Sequence, residues 1–128
     1  MALTMKYGPV LDLCNKFEMK EADVAERDEG YLKIYGIVHT QYQKNKIWDK
    51  IKEVGGTSPT DIKADIRTET NEYYHIHKVE SGDTLGKISK EYLGEAGKYM
   101  EVFNANKDQL SNPDLIKVGQ ELKIPFID

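Results

Sequence analysis

The apolar positions of this chain change period several times, and each change marks an element. Val10, Leu13, Cys14 and Phe17 fall at i, i+3, i+4 and i+7, one face of a helix that Pro9 can open because its missing N–H would be unpaired there anyway. Ala22–Arg27 reads as a short strand and Asp28-Glu29-Gly30 as a turn. Over Tyr31–Val38 the period becomes two: Leu32, Ile34 and Val38 point one way, with Gly36 in their row, and Tyr31, Lys33, Tyr35 and Ile37 the other. A glycine inside such a strand marks a bulge or a close backbone approach. Ile47, Trp48, Ile51 and Val54 return to helical spacing over 41–54, behind Thr40 as cap and ahead of Gly55-Gly56 as stop. Ile62, Ala64 and Ile66 alternate with charged residues and predict a strand. The first half is therefore expected as αββαβ.

A polar stretch, 69–73, holds no apolar residue before Tyr73 and is the expected linker between domains 1–68 and 74–128. The second half predicts strand, helix, helix, strand. Tyr73–Val79 alternates. Asp83 or Thr84 caps a helix whose stripe is Leu85, Ile88, Tyr92 and Leu93, and Gly94 closes it. Tyr99, Val102, Phe103 and Asn106 predict the stripe of a second helix. Asn112-Pro113-Asp114 is a turn signal, and Leu122-Lys123-Ile124 a last strand that Pro125 stops. The fold class expected is α+β, two small domains in 128 residues.

Composition narrows the function. Charged residues make up 31% and the net charge is −4, with −1 on residues 1–70 and −3 on 71–128. Basic runs of five or more do not occur, so the footprint of a nucleic-acid binder is missing. No apolar run reaches the roughly 18 residues of a membrane-spanning helix. The start shows no basic segment followed by an apolar core, which predicts a cytoplasmic protein, or a periplasmic or wall protein if an upstream signal was removed. Cys14 is the single cysteine and sits within an apolar stripe, where it reads as a small buried residue. His75 and His77 share one strand face and are candidate metal ligands, without the spacing of a zinc site. There is no nucleophile elbow, phosphate loop or cleft-sized frame for paired carboxylates, so no enzyme is expected.

Two resemblances sharpen this reading. Gly30-Tyr31-Leu32-Lys33-Ile34-Tyr35-Gly36-Ile37-Val38, glycine followed by alternation, glycine and an apolar pair, resembles a BON domain. Residues 74–125 resemble a LysM domain. The match lies in Val79-x-x-Gly82-Asp83-Thr84-Leu85-x-x-Ile88, in Ala105-Asn106-Lys107, and in Ile116-x-x-Gly119-Gln120-x-Leu122-x-Ile124-Pro125. The LysM resemblance implies a groove for N-acetylglucosamine-containing glycans such as peptidoglycan. One wall would be Gly82, Asp83, Thr84 and Leu85, and the other Asn112, Pro113, Asp114, Leu115 and Ile116. The domain order resembles a bacterial two-domain family known for potassium binding. It implies a K+ ion held by backbone carbonyls at positions that sequence does not assign, with the loops around Gly8-Pro9, Arg27–Gly30 and the linker as candidates. A third expectation is a protein-docking module in which the groove is unused.

Overall fold

The computed structural model describes residues 2–127, which fall into two compact units dividing between Asn71 and Glu72. The fold is α+β.

In the first unit two short helices, α1 (Ala2–Lys6) and α2 (Gly8–Lys16), precede a hairpin of β1 (Lys20–Arg27) and β2 (Tyr31–Val38). The crossover helix α3 (Gln41–Gly55) then leads to β3 (Ile62–Thr68). The sheet order is β1-β2-β3, with β1 antiparallel and β3 parallel to β2. Burial along β2 alternates as its sequence predicts: Leu32, Ile34 and Val38 are fully enclosed. They meet Val10 and Cys14 of α2, Ile47 and Ile51 of α3, and Ile62 and Ile66 of β3 in one apolar core. Burial of the Cys14 thiol pushes its pKa up to about 11, so it packs as an apolar residue.

Local chemistry sets the joints. Gly30 takes φ +95° and its N–H returns to the Arg27 carbonyl at 3.0 Å, closing the hairpin. Thr40 caps α3 by accepting the Gln43 N–H. Gly36 is a close approach: a methyl group there would collide with the Met19 side chain. The bulge lies instead on β1, between Lys20 and Asp23, where Glu21 has φ +52°.

Two features of this unit lie outside the sequence expectation. Helix α1 was not expected, and Tyr7, between α1 and α2, is fully buried with its hydroxyl donating to Asp61. Lys6 holds the same carboxylate, so Asp61 stays below the ordinary carboxylate range, chiefly through Lys6 and then Tyr7. Glu69, expected in the linker, is tied to the sheet end. Its N–H donates to the Val38 carbonyl at 2.8 Å, and its carboxylate takes Lys20 Nζ at 2.8 Å and lies 3.3 Å from His39 Nδ1.

The second unit is βααβ. β4 (His75–Lys78) pairs antiparallel with β5 (Glu121–Ile124), and α4 (Leu85–Leu93), a 3-10 turn (Ala96–Lys98) and α5 (Tyr99–Ala105) lie between them in sequence. Val79, Leu85, Ile88, Val102, Leu110, Leu122 and Ile124 form the core. Beside them Asn106 is wholly buried. Its Nδ2 donates to the Val102 and Lys123 carbonyls, both at 2.8 Å, and its Oδ1 accepts the Lys123 N–H at 2.9 Å. One amide thus clamps the end of α5 to β5, which explains a polar residue within the predicted apolar stripe. Tyr99 departs from that stripe. It is the first residue of α5, beyond the reach of the core, and is 40% exposed.

Candidate functional site

The loop from β4 to α4 is built around Asp83. Gly82 at φ +88° supplies the turn. Asp83 Oδ2 accepts the Glu80 N–H at 2.8 Å and lies 2.8 Å from His77 Nε2, while His77 Nδ1 lies 2.7 Å from the Tyr92 hydroxyl. The His77 bond first, and the Glu80 N–H second, hold the Asp83 carboxyl below its ordinary range. Asp83 therefore fixes the loop, and capping falls to Thr84. The Thr84 Oγ1 accepts the Lys87 N–H at 3.1 Å, and Gly94 ends the helix in the left-handed region. Lys87 Nζ turns back to the Gly82 carbonyl at 3.3 Å.

The loop before β5 is held in a similar way. Asn112 Oδ1 accepts the Asp114 N–H at 2.8 Å and the Asn112 carbonyl accepts the Leu115 N–H at 3.1 Å. Gly119, at φ +91°, donates its N–H to the Val79 carbonyl at 2.8 Å, tying this loop to the start of the other.

Between the loops lies a groove of about 290 Å³. Asp83, Thr84 and Leu85 line it from one side, and Pro113, Asp114 and Ile116 from the other. Gly82, Asn112 and Leu115 are not among its walls. The first two shape the loops by their backbone and turn bonds, and Leu115 is 63% exposed. Leu85 is 3% exposed, so its side chain serves the core and offers the groove little more than an edge. Two wall residues escaped the sequence reading, Gly86 and Tyr99. Gly86 directly follows the loop motif. Tyr99 was masked by its helical spacing with Val102 and Asn106.

The His75 and His77 pair has another role. Both rings pack on Tyr92, with centroids 5.2 and 5.3 Å away, and His77 is engaged at both nitrogens. Among the described residues no group of three or more His, Cys, Asp or Glu could hold a metal ion. No helix of the described residues is long and apolar enough to cross a membrane. Of the carbonyl-rich loops considered for potassium, Gly8-Pro9 opens α2 and the Arg27 carbonyl is taken by Gly30.

The second unit presents two facing loops on a βααβ frame, and its residues 77–125 match the LysM domain family. Over 115 residues, 87% of this chain and 75% of the relative, the sequence is 34% identical to the potassium binding protein Kbp of Escherichia coli O6:H1, and the chain belongs to the family of that protein. Other relatives match over shorter stretches. The spore coat assembly protein ExsA of Bacillus cereus is 46% identical over 50 residues, 39% of this chain and 7% of its own. The SpoIVD-associated factor A of Bacillus subtilis is 44% identical over 50 residues, 39% of this chain and 12% of its own.

Proposed function

We propose that this chain is a non-catalytic binding protein whose ligand is the potassium ion. The observation that carries the reading is the extent of the similarity to Kbp, 87% of the chain, well beyond the LysM region. The first unit, read as a BON-like module, then has a part in the function. That reading is supported by the order α2-β1-β2-α3-β3 and by the glycine-bounded strand 30–38. A potassium site asks for several oxygens, often backbone carbonyls, on a frame that spaces them. A net charge of −4 favours a cation over an anion. The test is calorimetric titration of the full chain with KCl and with NaCl at matched ionic strength. Saturable heat with KCl alone is expected, and equal responses to the two salts contradict the proposal.

A second reading is favoured by the groove. Its position between two structured loops and its aromatic wall, Tyr99, suit an N-acetylglucosamine-containing glycan. Titration with N-acetylglucosamine oligomers is expected to move the amides of Asp83–Gly86 and Asp114–Ile116. Unmoved amides at millimolar oligomer eliminate this reading and leave the potassium reading standing.

A further inference from the structure

Strand β3 is an edge of the first unit's sheet: among the described residues it is paired to β2 alone. The parallel ladder leaves half of its backbone unused. Leu32 donates its N–H to the Asp61 carbonyl and Glu69 donates to the Val38 carbonyl, both at 2.8 Å, and the register between them is unbroken. Residues 61, 63, 65, 67 and 69 therefore bond β2, while Ile62, Ala64 and Ile66 turn their N–H and C=O groups to the open edge. The described residues Ile62–Thr68 hold no bulge, proline or glycine that would blunt that edge. The opposite edge, β1, is bulged between Lys20 and Asp23, with Glu21 in the left-handed region.

The charges on β3 fit a second copy of β3 run antiparallel about Ala64. Ile62, Ala64 and Ile66 then oppose Ile66, Ala64 and Ile62 of the second copy, as pairs that exchange both backbone bonds. Lys63 opposes Asp65, and Asp65 opposes Lys63, at the intervening positions where side chains stand closest. Neighbouring two-fold registers fail. Centred on Lys63 or on Asp65, that charge meets itself. Centred on Ile66, Ile62 runs past the end of the partner strand. Lys63 and Asp65 are both exposed, and their present contacts do not compete. Lys63 lies over the Tyr31 ring, which neutralises no charge, and the exposed Asp65–Arg67 pair, 3.4 Å apart, is made through Oδ2 alone.

We propose that β3 is the interface of a two-fold homodimer, in which two copies pair antiparallel about Ala64 and join their sheets into one. Ile62 and Ile66 are only 6% and 3% exposed beforehand, so pairing adds little apolar burial. The dimer is held by backbone bonds and by the two Lys63–Asp65 pairs, which places it among weak, reversible associations.

Sedimentation equilibrium of the full chain, from about 10 µM to about 1 mM, is expected to show the mass rising from monomer towards dimer. Over the same range the amides of Ile62, Ala64 and Ile66 are expected to gain protection from hydrogen exchange. Lys63→Asp and Asp65→Lys, both at exposed positions, each set like charges together twice and are expected to weaken self-association about tenfold. An equimolar mixture of the two variants restores opposite charges at both contacts and is expected to associate as the unchanged chain does. A monomer throughout overturns the proposal. So does association that leaves the Ile62, Ala64 and Ile66 amides unprotected, or a mixture no more associated than the separate variants.

Discussion

The two units of this chain reach stability by different chemistry. Among the described residues, the first packs ten buried ones, nearly all apolar, between a three-stranded sheet and its helices. The second has seven such residues behind a two-stranded sheet. A smaller core buries less apolar area and leaves less margin over chain entropy. The second unit compensates with polar clamps: Asn106 across α5 and β5, and the Tyr92–His77–Asp83 series across α4, β4 and the groove loop. Its LysM motif residues accordingly have two duties, since those that form the groove's first wall also hold the fold together.

One support can be cut in each unit. Leu32→Ala opens the first core and is expected to cost about 2–5 kcal/mol. Asn106→Ala removes three hydrogen bonds and strands the Lys123 N–H, and is expected to cost about 2–4 kcal/mol although it removes no apolar contact of note. Urea melts followed at amides of each unit check both. A loss below about 1 kcal/mol for Asn106→Ala would mean that the second core does not depend on its clamp.

A smaller effect concerns acid. Asp83 is depressed below its ordinary carboxylate value of 3.8 when folded. It therefore contributes stability that is present above that value and is lost as pH falls through the folded one. His77→Gln, which removes the first cause of the depression, is expected to flatten the acid limb of the second unit's stability curve. The acid limb of the first unit should be unchanged, and an unaltered limb in both units would contradict the assignment.

The smallest predicted effect is a gain. Glu18 follows α2 in the left-handed region at φ +56°, where the Met19 N–H returns to the Cys14 carbonyl at 3.1 Å, the geometry in which glycine usually ends a helix. Glu18→Gly is expected to stabilise the first unit by about 0.5–1 kcal/mol, read as a rise in its denaturation midpoint. A drop would show that glutamate makes a contact there worth more than the backbone strain.

Much of this was legible along the chain. The alternation in Tyr31–Val38, the stripe through Ile47 and Ile51, and the caps at Thr40 and Thr84 are local signals, and each element formed where its period changed. The groove loops were legible through glycine and turn residues that act on their own backbone. What stayed hidden depends on pairs distant in sequence. Tyr7 and Asp61 are 54 residues apart, and neither shows a periodic signal that could join them. Tyr99 shares helical spacing with core residues, and only its place at the very start of α5 turns it to the groove. The role of His77 required knowing that Asp83 and Tyr92 converge on one ring.

Potassium binding by this chain is supported by a similarity to Kbp that extends well beyond the LysM region. Its most direct test is a thermal melt of the full chain in KCl and in NaCl at equal ionic strength, resolved by unit. A ligand that binds only the folded state raises the midpoint by mass action. The account predicts a higher midpoint in KCl, with the first unit among the responding amides. Coincident melts in the two salts would contradict it.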